Sequence, residues 1–245
     1  MSEPKIALVT GAAGTLGKAT AKALLQKGLK VILADLHQTQ LDALSQELEG
    51  DTFPIAFDIS DPKQVKSAIS TVVREFGEVD ILVNNAGILS RGKALTTTSE
   101  EWRQVMGANL DGAFYLSQAV IPAMKRQQWG RIINTCSVAS KSGGITAGTA
   151  YTTSKGGMVS LTFSLARELA AEGITVNGIA PAYVRTPMVT EHLTDEERQA
   201  VIDQIPVKRL CEPEEFAHVV LFLADPLAGF ITGEIIDQNG GLIFD

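Results

Sequence analysis

The sequence predicts an α/β fold, one doubly wound domain over residues 1–245 with a seven-stranded, mostly parallel sheet and helices on both faces. Three observations carry this. Short β-branched apolar runs alternate with longer amphipathic ones. The short runs lack polar alternation, as strands buried on both faces do. The chain has 245 residues and is 45% hydrophobic, enough for one large core.

The first strand is expected over 6–9, from Ile6-Ala7-Leu8-Val9, and a glycine turn then opens a helix over 15–27. A second strand over 31–34 stops at Asp35 and precedes a helix over 38–49. The third strand, 52–57, leads to Asp61-Pro62, which places a proline in the first turn of a helix over 62–76. After a strand over 81–83, Ser99-Glu100-Glu101 supplies a cap and acids for a long helix over 99–126. Strands over 131–135 and 175–179 flank a helix over 152–171. Glu212-Pro213 starts a helix over 213–224, and the last strand is expected over 234–236. Residues 181–213 lack a strong period apart from polar helical pieces such as 194–203, and read as a lid.

Composition excludes several classes. A net charge of −7 and the absence of a basic run argue against nucleic acid. Cys136 and Cys211 form no CxxC or Cys/His cluster, so neither a disulfide scaffold nor a metal site is expected. No apolar stretch is long enough to cross a bilayer, and a strand begins almost at once, so neither a membrane segment nor a signal peptide is expected. The expected location is cytoplasmic.

Two constellations carry chemistry. Thr10-Gly11-Ala12-Ala13-Gly14-Thr15-Leu16-Gly17 joins a strand to a helix, where glycines let backbone approach a pyrophosphate and a helix N-terminus offers N–H groups. That makes the fold Rossmann-type. Asp35 lies at the offset of an acid that accepts hydrogen bonds from an adenosine ribose and repels a 2′-phosphate. No Lys or Arg occupies 34–37, so NAD is expected rather than NADP. Tyr151 and Lys155 share one helix face at i, i+4. An ammonium there is expected to lower the phenol's pKa and make a usable acid/base. Each signal has a bland counterpart: a structural turn, a strand-end Asp, a surface pair.

In order along the chain, the glycine turn, Asp58-Ile59, Asn84-Asn85-Ala86-Gly87, Asn109, Ser137, Tyr151–Lys155, Asn177, Pro181, Thr186, Thr232-Gly233 and Asn239-Gly240-Gly241 resemble the short-chain dehydrogenase/reductase family over essentially the whole length. The resemblance implies an NAD-dependent oxidoreductase that moves a hydride between nicotinamide and a secondary alcohol or ketone. Tyr151 would be the acid/base, Ser137 would orient the substrate oxygen, and Lys155 would tune Tyr151 and hold the nicotinamide ribose. Asn109 would hold a water leading to solvent. Gly11, Gly14, Thr15, Leu16 and Gly17 would cradle the pyrophosphate. Asp58, Ile59, Asn85, Ala86 and Gly87 would line the adenosine side, with Pro181, Val184 and Thr186 at the nicotinamide. Members of the family commonly pair the helices over 99–126 and 152–171 with symmetry mates, so a homotetramer is expected. Leu110, Ala113, Phe114, Leu116, Met158, Leu161, Phe163 and Leu165 are the candidate apolar surface.

The chain departs from the family pattern in three places. Thr15 stands where many members have Gly, Ala182 replaces the Gly after Pro181, and the interval from Ser137 to Tyr151 is one residue longer, with Gly143-Gly144 as the place to absorb it. Two alternatives stay open: a 3-oxoacyl thioester (acyl-carrier-protein) reductase, whose family members usually use NADPH, and a dinucleotide-binding regulator without turnover. The substrate, a small hydroxyl or carbonyl compound, is expected among residues 88–95, 138–148 and 183–211. Arg91, Lys93, Lys141 and Arg185 fall there and read either as anion-binding groups or as solvated charges. Tyr183, Met188 and His192 are candidates to approach the substrate.

Overall fold

The computed structural model describes residues 4–190 and 194–244. Its centre is one seven-stranded sheet, ordered β3-β2-β1-β4-β5-β6-β7 and parallel throughout. The strands are β1 Ile6–Thr10, β2 Lys30–Asp35, β3 Thr52–Ala56, β4 Ile81–Asn84, β5 Gly130–Thr135, β6 Ile174–Pro181 and β7 Ile235–Gln238. Every residue of β1, β4, β5 and β6 is buried, which explains their unbroken apolar runs. Pro54 is tolerated because β3 is an edge strand, where a missing N–H costs no ladder bond.

Side-chain alternation along β1 divides the core. Ile6 and Leu8 join a cluster with Val65, Ile69, Leu116, Met124 and Leu165. Ala7 and Val9 point the other way, to Leu24, Leu41, Phe216 and Val220. The first face is covered by α3 Pro62–Glu75, α5 Gly112–Gln127 and α7 Thr149–Leu169. The second is covered by α1 Thr15–Gln26, α2 Gln38–Glu47 and α10 Pro213–Ala224. Each buried Leu, Ile or Phe contributes about 1.5–3 kcal/mol relative to exposure, so both layers are needed.

The helix expected over 99–126 is divided. α4 Ser99–Met106 runs into a π turn, Gly107–Asp111, before α5 begins. Its N-cap is Thr98, whose hydroxyl accepts from Glu101 N at 3.1 Å, rather than Ser99. Pro62 sits in the first turn of α3 as expected, and Asp61 caps it, accepting from Lys63 N at 2.8 Å. Three short elements escaped the sequence reading: α6 Ala139–Ser142, α8 Pro187–Thr190 and a 3-10 turn at Pro226–Ala228. In residues 181–213, α9 Asp195–Gln204 begins at a Thr194/Glu197 capping box. Val189, Val201, Ile205 and Leu210 bury themselves together there as a small core.

β1 is the switch point, with β2 and β3 on one side and β4 to β7 on the other. Open α/β sheets bind ligands beyond the strand ends at that point.

Candidate active site

A cavity of about 480 Å³ opens beyond the carboxyl ends of β1, β4 and β5. Gly11, Gly14, Thr15, Leu16, Asp35, Asp58, Ile59, Asn85, Ala86, Gly87, Ser137, Tyr151, Lys155, Pro181, Val184 and Thr186 all line it. Of the residues given catalytic or cofactor roles, only Gly17 and Asn109 do not.

The turn is built for close approach. Gly11 has φ +63°, and a Cβ there would sit 2.9 Å from Ala86 Cα. Thr10 Oγ1 accepts from Asn85 N at 2.9 Å and Ala86 N at 3.0 Å, and Asn85 Nδ2 donates to Thr10 O at 2.9 Å. These bonds lock the ends of β1 and β4 together, a role for Thr10 that only its place at the strand end hinted at. Gly14 caps α1, no side chain occupies that helix start, and no acid sits in its first turn. The N-terminal N–H groups and dipole therefore suit an anion. Gly17 lies behind this wall: a Cβ would fall 2.1 Å from Gly11 O, so its role is helix-to-turn packing rather than ligand contact.

Asp35 stands at the adenosine end. Its Oδ2 accepts from Ala13 N at 3.0 Å and its Oδ1 from Leu36 N at 2.8 Å, which aims the carboxylate across the mouth. Lys18, the first cation after the glycine turn, is tied to Glu47 at 2.7 Å. Among the described lining residues Lys155 is the sole cation. Asp58 Oδ1 is committed to Ser60 N and Oγ at 2.8 and 2.7 Å, while Ile59 packs against Gly112.

At the other end, Ser137 follows β5. Its Oγ accepts from Ala139 N at 3.1 Å and shares a hydrogen bond with the Tyr151 phenol. Ser140, its rival in sequence, donates to Ser137 O at 2.7 Å and lines neither this cavity nor its neighbour. Lys155 is 3% exposed and donates to Thr135 O at 2.6 Å, with Nζ 5.8 Å from the Tyr151 ring centroid. Burial pushes the Tyr151 phenol above its usual range, opposed by the Ser137 bond. Burial also pulls Lys155 down to about 8. The net shift of Tyr151 is thus upward rather than the lowering expected from Lys155, because desolvation outweighs the opposing contributions.

Asn109 lies in the π turn, with Oδ1 accepting from Ile88 N at 2.8 Å and Nδ2 donating to Ile88 O at 3.0 Å and Ser154 Oγ at 3.1 Å. Ser154 in turn donates to Tyr151 O at 2.7 Å. The amide thus braces the start of α7 behind the cleft wall. Asn177, Thr232 and Asn239 likewise satisfy neighbouring backbone.

A second cavity of about 90 Å³ adjoins the first and shares Ser137, Tyr151, Ala182 and Val189 with it. The departures from the family pattern settle simply. Ala182 has no left-handed backbone, and Thr15 lines the cleft without replacing a glycine that needs one. Gly143 and Gly144 adopt φ +74° and +77° after α6. Among the candidate cations, Lys93 is engaged with Gly144 O and Ala147 O, Lys141 with Asp237, and Arg185 with Glu212. Arg91 and Tyr183 line the small cavity. His192 and the side chain of Met188 lie outside the described residues. No metal-binding cluster occurs among the described residues, and no helix there is long and apolar enough to cross a membrane.

A switch-point cleft with a glycine turn, an acid at the second strand and a buried Tyr/Lys/Ser group defines a dinucleotide-binding oxidoreductase. A family model described as enoyl-(acyl carrier protein) reductase matches residues 11–243. Similar proteins include the 3-oxoacyl-[acyl-carrier-protein] reductases FabG of Vibrio cholerae, 42% identical over 241 residues, and Escherichia coli, 41% over 241. That of Thermotoga maritima is 39% identical over 244 residues, and each alignment covers 98% of both chains. The chain belongs to the short-chain dehydrogenase/reductase family. It is an oxidoreductase that uses a nicotinamide dinucleotide, and the uncapped α1 start, the Asp35 carboxylate and buried Lys155 fit that group along one cleft.

Proposed function

We propose that this protein interconverts a 3-oxoacyl thioester and its 3-hydroxyacyl form, with NAD(H) as the cofactor. The carrying observation is the hydrogen-bonded Tyr151–Ser137 pair on the wall shared by the large cleft and the small apolar cavity. A ketone held there has its oxygen at the pair and its carbon facing the cleft. The names of the full-length relatives favour the thioester over a secondary alcohol at large. A non-catalytic regulator is expected to have lost Tyr151, Lys155 or Ser137, and all three are present.

When bound, the nicotinamide supplies or accepts the hydride. Ser137 fixes the keto oxygen by hydrogen bonding, and Tyr151 donates its phenol proton to that oxygen as the alcohol forms. A phenol raised by burial keeps its proton at neutral pH and is ready as an acid. Lys155 offers an ammonium beside the ring and toward the ribose. Gly11, Gly14, Thr15 and Leu16 would hold the pyrophosphate. Asp58, Ile59, Asn85, Ala86 and Gly87 would flank the adenosine, and Pro181, Val184 and Thr186 the nicotinamide. Asp35 supports NAD over NADP, since a 2′-phosphate would meet a carboxylate with no cation beside it. One domain would carry both functions, in the cytoplasm.

Following absorbance of the reduced cofactor with 3-oxobutanoyl thioester tests the reading. Thioester-dependent oxidation is expected, with kcat/KM for NADH at least about tenfold above NADPH. Tyr151→Phe should lower kcat by about 10²-fold or more and leave the NADH Kd within about twofold. Failure of the wild type to turn over any 3-oxoacyl thioester overturns the substrate, NADPH preference overturns the cofactor, and an active Tyr151→Phe overturns the acid.

A further inference from the structure

Resting on that reading, we infer that Tyr183 and Thr146 close the far end of the small cavity and restrict the enzyme to short acyl chains. The Tyr183 hydroxyl and Thr146 Oγ1 lie 3.2 Å apart, bridging the loop after β6 to the turn after α6. Both residues line the cavity whose near wall carries Ser137 and Tyr151. Leu89, Val138, Ile145, Ala147, Val189 and Leu242 make most of the remaining lining apolar.

The geometry divides the substrate into two arms. The keto oxygen must reach Tyr151 and Ser137. The thioester arm leads to a carrier too large for a cavity of about 90 Å³, so it leaves toward solvent. The acyl tail takes the apolar cavity, which has room for about three to six non-hydrogen atoms at the volume a water occupies. A tail of up to about six atoms fits inside, whereas the nine carbons beyond the keto group of a twelve-carbon substrate would have to run past the Tyr183–Thr146 bridge.

The closing wall is braced on both sides. Tyr183 packs into the cluster of Val189, Ile205, Leu210 and Leu242, and its carbonyl accepts from Cys211 N at 3.0 Å. The Thr146 turn is held by Lys93 Nζ, which donates to Gly144 O at 3.1 Å and Ala147 O at 2.7 Å. Gly148 N donates to Ser90 O at 2.6 Å. A long tail would have to displace both braced segments.

The test compares kcat/KM for 3-oxobutanoyl and 3-oxododecanoyl thioesters of N-acetylcysteamine. The wild type should favour the four-carbon substrate at least about tenfold. Tyr183→Ala should raise the twelve-to-four-carbon ratio at least about tenfold. Tyr183→Phe, which keeps the packing and removes only the bridge, should raise it less but in the same direction, as should Thr146→Ala. Equal kcat/KM for both lengths in the wild type, or a ratio unmoved in all three variants, overturns the assignment. Pentan-2-one and undecan-2-one, run in parallel, separate the two ideas. Ketone turnover with the same length cut-off and no thioester turnover sinks the reaction reading while the cavity assignment holds.

Discussion

Lys155 is a buried cation whose one described side-chain bond is to the carbonyl of Thr135, and such a group costs stability for the sake of its chemistry. Its pKa falls from 10.5 unfolded to about 8 folded. Below pH 8 both states hold the proton, and folding carries the full cost of burying the ammonium. Between about 8 and 10.5 the folded form has released its proton while the unfolded form keeps it, so this group's contribution to stability rises with pH. Lys155→Met should therefore raise Tm by a few degrees at pH 7 and abolish turnover. Calorimetry at pH 7 and pH 9.5 should show the gap between variant and wild type narrowing at the higher pH. An unchanged gap, or a variant less stable at pH 7, rules the account out. At this scale the sequence placed most of these residues along one cleft, because glycine turns and a Tyr–Lys pair have fixed spacing. The packing partners of Gly17, Asn109 and Lys93 were not legible, since they leave no local pattern.

Regular elements were legible where one face is apolar and long. The strands of the sheet centre and α3, with Val65, Ala68, Ile69 and Val72 buried, followed from periodicity alone. The π turn was not, since one extra residue per turn hardly changes an apolar stripe. Nor were α6 and α8, four residues each and too short to show a period. α9 buries only Val201 and is held by its capping box and a small local cluster. Stretches with few buried contacts open at low cost, which is what a lid requires, and the Val189 cluster that braces Tyr183 would then be the closed state of that lid. Thr186 and Val184 line the cleft, so a bound dinucleotide has reason to hold the segment down. Hydrogen exchange over residues 186–190 and 194–210 should be fast in the free protein and clearly slowed by NADH. Equal protection with and without cofactor would mean a fixed loop and a preformed pocket.

Among the described residues, the exposed apolar side chains include those of two places suited to assembly. On α5 and α7, Phe114 is 42% and Phe163 48% exposed. Ala113, Leu116, Met158 and Leu165, expected to share that surface, are instead buried in the protein's own core. The sequence pattern could not separate the two, because both helices cover the sheet with one face and end with apolar residues on another. The second place lies around β7, an open edge with unpaired backbone groups. There Leu227 is 96% and Phe230 102% exposed, and Phe222 and Phe244 are also exposed. Two apolar patches on different elements, if each pairs with its own copy about a twofold axis, would assemble four chains with closed symmetry. We therefore expect light scattering at micromolar concentration to give a mass about four times 26.1 kDa. Phe163→Glu should block the helix interface and Phe230→Glu the edge interface, each leaving a dimer, and the double variant a monomer. Burying a carboxylate in an apolar contact is costly enough to break either interface. A clean wild-type monomer would show that these aromatics serve another purpose, and a wild-type dimer split by only one of the variants would show which patch is the interface.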